Sequence, residues 1–198
     1  MLYLYGASGY AKVIIDIVKS NNIHLEGLYD DNILNKELLG YPVLSSQDIS
    51  SSVDLFISIG DNKSRQEIAK KVKAHYITLV HPSAILSPTI KLGNGTAIMQ
   101  GAVVQAGSKI GNHVILNTSV SVDHENIISD YVHISPNSTL CGNVHIGEGT
   151  WIGAGSVILP GIKIGKWSVI GAGSVVDIDI PDYCLATGNR CKVIKYFK

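Results

Sequence analysis

The sequence predicts an α/β N-terminal domain with a small parallel sheet, followed by a parallel β-helix built from six-residue repeats. In residues 1–79, short apolar runs alternate with helix-like segments, a pattern typical of parallel sheets with crossover helices. From Val80 to Val176, every sixth residue is Val, Ile or Leu without exception. We therefore expect an α/β domain over 1–79, a β-helix over 80–181 and a C-terminal tail over 182–198.

The first domain contains the elements of an open, Rossmann-like sheet. Apolar runs predict strands, and the amphipathic stretches between them predict helices. Because the two types alternate, we expect the helices to cross between neighbouring parallel strands. Strands are expected at 2–5, 24–30, 41–44, 54–60 and 76–80, and helices at 10–20 and 61–75.

The second domain repeats its six-residue unit seventeen times. In most units a small or β-branched residue lies four positions after the large apolar one, and Gly often follows that apolar residue directly. One large inward side chain, one small inward side chain and a Gly-favouring corner describe a short strand followed by a turn. Three units close one coil, and successive coils stack about 4.8 Å apart. The period therefore predicts a β-solenoid but does not fix its handedness.

Composition restricts the partners. Lys plus Arg and Asp plus Glu number 16 each, so there is no basic excess to attract nucleic acid or an anionic membrane. No run reaches the roughly 18 apolar residues of a membrane-spanning helix, and the N-terminal segment lacks the order of a secretory signal. Cys141, Cys184 and Cys191 are an odd number without paired spacing, which favours a reducing compartment. We expect a cytoplasmic protein with a small neutral or anionic ligand.

The hexapeptide VDHENI, which begins at Val122, departs from the regular unit. Val122 keeps the apolar rule, but Asp123, His124 and Glu125 bring three ionisable side chains in succession. Asn126 then occupies an inward position that other units fill with small or β-branched residues. Because an unperturbed imidazole has a pKa of about 6.5, His124 is suited to proton transfer near neutral pH. The segment is therefore a candidate site of chemistry.

Motifs spread along nearly the whole chain carry a family resemblance. Together they resemble the left-handed β-helix acetyltransferases that act on nucleotide-linked amino sugars, a family that includes UDP-N-acetylbacillosamine N-acetyltransferases, perosamine N-acetyltransferases and sialic acid O-acetyltransferases. The resemblance implies a left-handed solenoid, acetyl-CoA as co-substrate, a nucleotide-linked amino sugar as acceptor, and a homotrimer with active sites between subunits. The motifs are GASGYAKV at 6–13, YDD at 29–31, IGDNKSR at 59–65, HPSA at 81–84, NTSVSVDHENIISDYVHISPN at 117–137 and GNRCK at 188–192.

The resemblance implies catalytic roles for three residues. Attack of an amine on a thioester needs a base beside the amine, and the motif makes His124 that base. Glu125 is expected to hold one ring nitrogen and fix the tautomer, with Asp123 as the local competitor. Gly142 comes one full coil after His124 and should lie directly over it. Its bare N–H would then stabilise an oxyanion, while a simple turn glycine is the alternative.

Further positions of the motif imply contacts with acetyl-CoA. Asn117 and His133 match residues that place its thiol end, and His133 lies half a coil from His124, which supports sites shared between subunits. Lys192 is expected at a CoA phosphate, in a GNRCK element that departs from the family's Gly-Asn-Pro-Ala-Lys. The pantetheine arm is expected along bare backbone in the last coils, although repeat corners need the same small residues. Those residues are Gly153, Ala154, Gly155, Gly171, Ala172 and Gly173.

The N-terminal domain is expected to bind the nucleotide-linked sugar. GASG lies between a strand and a helix, so its N–H groups suit a phosphate. The dinucleotide motif G-x-G-x-x-G is broken at its second and third glycines, which disfavours NAD. Either Asp30 or Asp31 fits a contact with a hydroxyl group or with uracil. Tyr10 stands where the family commonly has His. Arg65 either binds the substrate or anchors its own helix. The expected substrate-binding residues are Gly6, Ser8, Gly9, Tyr10, Lys12, Asp30, Asp31 and Arg65.

Several functions remain open on the sequence. A hydratase on the same fold would need histidines that share a metal, but no two of His113, His124, His133 and His145 are separated by one full coil, so we expect no metal. A non-catalytic nucleotide-sugar-binding solenoid is a second alternative. Within the family we favour N-acetylation of a UDP-4-amino-4,6-dideoxy-N-acetylglucosamine type of sugar for bacterial glycan biosynthesis, with GDP-perosamine N-acetylation and sialic acid O-acetylation as alternatives.

Overall fold

A computed structural model describes residues 1–50 and 52–197 of the chain. Its N-terminal half is one sheet flanked by two helices. The strands are β1 Leu2–Tyr5, β2 Leu25–Asp30, β3 Glu37–Leu38, β4 Tyr41–Ser45, β5 Asp54–Ile57 and β6 His75–Tyr76, and the helices are α1 Gly9–Ser20 and α2 Asn62–Lys71, with a 3-10 turn at Ser46–Asp48. The sheet order is β3-β4-β2-β1-β5-β6, and its pairs are parallel except for the short β3–β4 pair. The predicted parallel α/β architecture is confirmed.

The two helices differ at their N-termini. α1 buries the apolar stripe that its three- and four-residue spacing creates, and its N-cap Ser8 makes no side-chain capping bond. Its first turn also contains no acidic residue, so no side chain of that turn neutralises the helix dipole there. α2 is capped conventionally, because the Asp61 side chain accepts a bond from the Ser64 N–H at 2.8 Å.

The second half is a regular solenoid. Two-residue strands recur at a six-residue period from Leu79 to Val176, and each pairs in parallel with the strand one coil further on, as His133 does with Trp151. The strands are β7 Leu79–Val80, β8 Ile85–Leu86, β9 Lys91–Leu92, β10 Ala97–Ile98, β11 Val103–Val104, β12 Lys109–Ile110, β13 Ile115–Leu116, β14 Ser121–Val122, β15 Ile127–Ile128, β16 His133–Ile134, β17 Thr139–Leu140, β18 His145–Ile146, β19 Trp151–Ile152, β20 Val157–Ile158, β21 Lys163–Ile164, β22 Val169–Ile170 and β23 Val175–Val176. The solenoid has three faces, which begin with β7, β8 and β9 respectively. The β-helix prediction is confirmed.

The solenoid core combines apolar layers with buried hydroxyls. The second residue of each strand points inward, so Val, Ile and Leu from successive coils form one continuous cluster. The small inward residues bond to the backbone of the next coil: Ser138 Oγ donates to the Gly153 carbonyl at 3.0 Å, and Thr150 Oγ1 donates to the Gly165 carbonyl at 2.6 Å. These bonds tie each corner to the coil that follows it.

The two halves pack against each other over the first solenoid face. Its outward residues Leu79, Ala97 and Ile115 are fully buried in the same apolar cluster as the α1 side chains. The segment after β23, which we treated as a tail, continues this face with β24 Cys184–Thr187, parallel to β22, and β25 Lys192–Tyr196, antiparallel to β24. Within the described residues, neither helix has the length and apolar character that crossing a bilayer requires.

Candidate active site

His124 occupies the corner between β14 and β15, and its neighbours on the chain hold it there. The Asp123 carboxylate accepts the His124 N–H at 2.8 Å. Glu125 adopts a left-handed backbone with φ of 58°, which turns its side chain back toward the preceding residue. As a result, His124 Nδ1 lies 3.2 Å from Glu125 Oε2, and the imidazole remains 57% exposed. This contact holds Nδ1, so Nε2 is the ring nitrogen left for a proton acceptor.

Asn126 supports that corner from inside the solenoid. It is fully buried, and its Nδ2 donates to the Cys141 carbonyl at 3.0 Å, the same coil-to-coil contact that the inward Ser and Thr residues make. The longer amide also reaches the Asp123 carbonyl at 2.7 Å and the His124 carbonyl at 3.3 Å. A hydroxyl carries a single proton, so Asn here binds three carbonyls where Ser would bind one. The polar residue in an apolar position therefore braces the backbone that carries His124.

Gly142 lies over His124 in the next coil, as the repeat requires. A Cβ on Gly142 would stand 2.6 Å from both Nε2 and Cε1 of the imidazole. The neighbouring N–H groups of Cys141 and Asn143 are bonded to Ile158 and His124 carbonyls. The Gly142 N–H has no acceptor among residues 1–50 and 52–197. The corner thus combines a free donor with an exposed imidazole.

These groups line an open cavity of about 490 Å³. Its walls include Asp123, His124 and Gly142, together with Cys141 and Pro160. The sequence analysis did not select Cys141 as a site residue. Its position directly before Gly142 could have indicated that it lies close to His124. His133 is not among the residues that line this cavity, because it lies on the first face rather than at this corner.

Asn117 and His133 are brought together on the first face. Asn117 Oδ1 accepts the Thr118 N–H at 2.8 Å, so its amide nitrogen is the atom that lies 3.1 Å from His133 Nε2. Because an amide nitrogen donates, His133 Nε2 is an acceptor and its proton resides on Nδ1. Burial, with a smaller effect from the Arg65 charge, lowers the pKa of His133 to about 4. The ring is therefore neutral near neutral pH.

A second cavity, of about 460 Å³, lies beside His133 where α2 meets the solenoid. We call it the interdomain cleft. Its walls include Asp61 at the start of α2 and the indoles of Trp151 and Trp167. Trp151 stacks on His133 with ring centroids 5.9 Å apart and an interplanar angle of 8°. The sequence analysis missed both tryptophans. The repeat could have identified Trp151, because it follows His133 by one full coil and must therefore lie next to it.

A third, smaller cavity of about 220 Å³ lies at the carboxyl edge of the sheet. Ser8 and Asp30 both line it. One Asp30 oxygen accepts the Ala7 N–H at 2.7 Å. Asp31 faces elsewhere, since its Oδ1 accepts bonds from the hydroxyls of Tyr5 and Ser46, and these bonds lower its pKa. Of the two carboxylates that the sequence left open, Asp30 is the one at this edge.

The other residues of the GASGYAK motif are spread over several environments. Gly6 is buried with φ of 107°, and a Cβ there would stand 2.7 Å from Ile59, so this glycine is required by the turn itself. Gly9 begins α1 with open space around it, and Lys12 is exposed on the helix. The Tyr10 hydroxyl is buried without a partner among the described residues, and burial raises its pKa. The structure does not bring Tyr10 to the wall of the third cavity.

Arg65 is buried where α2 meets the solenoid. Its side chain is 1% exposed, and each of its five N–H groups has an oxygen acceptor. Two of those acceptors belong to the solenoid, the carbonyls of His113 at 2.9 Å and Tyr131 at 2.9 Å. Of the two roles left open on the sequence, these contacts favour the structural one over substrate binding. Arg65 joins α2 to two coils of the solenoid.

The expected pantetheine contacts form an exposed strip of small residues. Ala154 and Ala172 are exposed at one solenoid corner, each followed by an exposed glycine with positive φ, Gly155 at 66° and Gly173 at 68°. Gly153 and Gly171 are packed more tightly, because added Cβ atoms would contact the coil above. Lys192 is exposed at the start of β25. None of these residues lines the cavity that contains the His124 imidazole.

Across residues 1–50 and 52–197, no cluster of three or more His, Cys, Asp or Glu side chains is arranged to hold a metal ion. The His124 corner itself offers an imidazole, a carboxylate and a backbone N–H. Such a set suits proton abstraction next to a developing oxyanion.

Comparison with known proteins identifies the family. Residues 1–72 match the PglD N-terminal domain, and residues 143–177 match the bacterial transferase hexapeptide repeat. A variant of perosamine N-acetyltransferase from Caulobacter crescentus, solved with CoA and GDP-perosamine, is 33% identical, with a TM-score of 0.92 over 98% of this chain and 96% of that chain. The chain belongs to the PglD-like family of left-handed β-helix amino-sugar acetyltransferases.

Two further relatives bear on this family. The acetyltransferase domain of PglB from Neisseria gonorrhoeae, solved with acetyl coenzyme A, is 32% identical, with a TM-score of 0.91 over 98% of each chain. UDP-N-acetylbacillosamine N-acetyltransferase from Bacillus subtilis is 39% identical over 107 residues, which are 48% of this chain and 50% of that protein. The matched segments span half or less of the length of the curated relatives.

Proposed function

We propose that this family member transfers the acetyl group of acetyl-CoA to the 4-amino group of a nucleotide-linked 4-amino-4,6-dideoxy sugar, for glycan biosynthesis. One observation carries the proposal: the His124 imidazole, held at Nδ1 by Glu125, lies under the free N–H of Gly142. The relatives solved with CoA, acetyl coenzyme A and GDP-perosamine support the same substrates.

In the proposed reaction His124 Nε2 takes a proton from the amine as its nitrogen attacks the thioester carbonyl. The Glu125 carboxylate keeps the Nδ1 proton in place and stabilises the imidazolium that forms. The Gly142 N–H donates to the oxyanion of the tetrahedral intermediate. The carbon–sulfur bond then breaks, and the thiolate takes up the proton from His124. The products are the N-acetyl sugar and CoA, and no further reactant is required.

We further propose that the active unit is a homotrimer. His124 lines one cavity, whereas His133, Asn117 and the interdomain cleft lie on another side of the same chain. A neighbouring subunit that brings its His124 corner to this cleft would unite the base with the groups that hold the substrates. Mixing two inactive variants tests this, because His124→Ala and Asn117→Ala subunits should regain activity together in mixed trimers.

Two nucleotide-linked sugars are equally supported as the acceptor. The N-acetylbacillosamine relative favours a UDP-linked acceptor, and the structural relative over nearly the whole chain favours GDP-perosamine. Purified protein with acetyl-CoA and a panel of UDP-, GDP- and TDP-linked amino sugars, followed by thiol release, separates them. We expect turnover with one 4-amino sugar, and absence of turnover with every amino sugar would contradict the proposal.

A further inference from the structure

The interdomain cleft has a composition that the reaction described so far does not explain. Its walls combine two indoles, a neutral imidazole and a carboxylate. The volume of about 460 Å³ lies within the usual range for small-molecule sites. The cleft is formed by both halves of the chain, α2 on one side and the first solenoid face on the other.

Trp151 is held in a fixed orientation and is half exposed. Its Nε1 donates to Ser135 Oγ at 2.7 Å, and one of its faces is stacked on His133. The residue nevertheless remains 49% exposed. An aromatic face held rigid beside a polar wall packs well against the C–H groups and methyl carbon of a deoxy sugar, because it offers apolar area without loss of side-chain freedom.

Asp61 supplies the negative charge of the cleft. One of its oxygens accepts the Ser64 N–H at 2.8 Å, which fixes the carboxylate at the start of α2. The hydrogen bonds from α2 and the Arg65 charge outweigh desolvation and lower the pKa of Asp61, so the group is ionised at neutral pH. His133 is neutral at that pH and does not oppose a bound cation. Lys63, which also lines the cleft, suits a phosphate instead.

We propose that the interdomain cleft is the acceptor pocket, in which Trp151 packs against the deoxy-sugar ring and Asp61 pairs with the ammonium form of its amino group. This inference rests on the proposed function, since it assigns the acceptor of that reaction to specific residues. The ammonium first releases one proton to solvent to give the attacking amine, and acetylation then turns that amine into a neutral amide. Asp61 therefore distinguishes substrate from product, whereas Trp151 contacts both.

The test is calorimetric binding of two ligands to the intact protein: the nucleotide-linked amino sugar that the panel identifies, and its N-acetylated product. Asp61→Asn retains an oxygen that can cap α2 but removes the charge. It should weaken binding of the amino sugar about fivefold to tenfold and leave the affinity for the product unchanged. Trp151→Ala should weaken both ligands by a similar factor of about ten.

Two controls accompany these variants. Asp179→Asn alters another carboxylate that accepts a backbone N–H, that of Lys163 at 2.8 Å, and Asp179 is not among the residues that line the cleft. Tyr196→Ala alters an aromatic residue that is 65% exposed outside it. Neither should change either affinity. Thermal unfolding of each variant shows that a change in binding is not a change in folding.

The outcomes separate the two proposals. If the wild type acetylates an amino sugar but Asp61→Asn binds substrate and product with unchanged or equally reduced affinity, the assignment of Asp61 is overturned. If Trp151→Ala binds both ligands as the wild type does, the cleft is not the acceptor pocket. If the wild type neither binds nor acetylates any amino sugar of the panel, the proposed function itself fails.

Discussion

Gly142 lies so close to His124 that a side chain at position 142 would contact the imidazole, with a Cβ 2.6 Å from Nε2. The backbone itself would accept alanine, because Ala106 occupies the equivalent corner two coils earlier and Gly142 has no positive φ. We therefore expect Gly142→Ala to push the ring from its position and lower kcat about tenfold or more, with thermal stability nearly unchanged. Steady-state acetyl transfer and thermal unfolding check this, and a fully active Gly142→Ala protein would contradict the proposed role of the pair.

Two substitutions of Asn126 distinguish its contribution to stability from its contribution to the alignment of His124. Asn126→Ala removes three part-buried hydrogen bonds, although the Asp123 carbonyl keeps the Ser108 hydroxyl as a donor and the His124 carbonyl keeps the Asn143 N–H, so we expect a loss of about 1 to 2 kcal/mol in unfolding free energy. Asn126→Ser can restore the coil-to-coil bond that Ser108 makes at the same corner one coil earlier, but not the bonds to the Asp123 and His124 carbonyls. This second variant should be nearly as stable as the wild type, yet turn over more slowly. Urea unfolding and kcat together test this, and unchanged kcat in Asn126→Ser would argue against alignment by Asn126.

Arg65 should contribute to stability across the two halves of the chain. Arg65→Met leaves five oxygen acceptors without this donor, two of them in buried and three in part-buried contacts, and we expect a loss of about 3 kcal/mol or more. Arg190→Met is the matched control, because that arginine is 83% exposed and forms a surface ion pair with Asp177 at 3.4 Å. The control should change stability by less than about 0.5 kcal/mol. Equal effects of the two substitutions in urea unfolding would contradict the role of Arg65.

The buried histidines predict a pH dependence of stability. Burial lowers the pKa values of His113 and His133 from 6.5 to about 4. Between these values the unfolded chain binds protons that the folded chain does not, so the unfolding free energy should fall as the pH is lowered from about 6.5 toward 4. His133→Gln should make this fall shallower, whereas His24→Gln, at a side chain 84% exposed, should not. Urea unfolding at several pH values measures the slope, and identical slopes in all three proteins would exclude the His133 contribution.

Much of the architecture follows from local sequence rules. The unbroken six-residue spacing from Val80 to Val176 requires the coil, and the coil requires that residues one full turn apart be neighbours. That rule alone puts Gly142 beside His124. The alternation of strands and helices similarly predicts the N-terminal sheet, although it missed the short strand β3, whose two residues give no periodic signal.

Other parts of the site depend on contacts that no local pattern encodes. Arg65 bonds to carbonyls 48 and 66 residues further along the chain, and a sequence pattern cannot distinguish such a buried arginine from one that binds an anion. The interdomain cleft likewise forms only when Asp61 of the first half meets Trp151 of the second. The strands β24 and β25 escaped prediction because they extend a solenoid face after the six-residue spacing has ended.

The central claim is that His124 is the base for acetyl transfer to an amino sugar. The most direct measurement is the rate of acetyl transfer by His124→Ala, made together with its affinity for acetyl-CoA. The account predicts that kcat falls about a hundredfold or more while acetyl-CoA binds as tightly as to the wild type. Turnover by His124→Ala at the wild-type rate would contradict it.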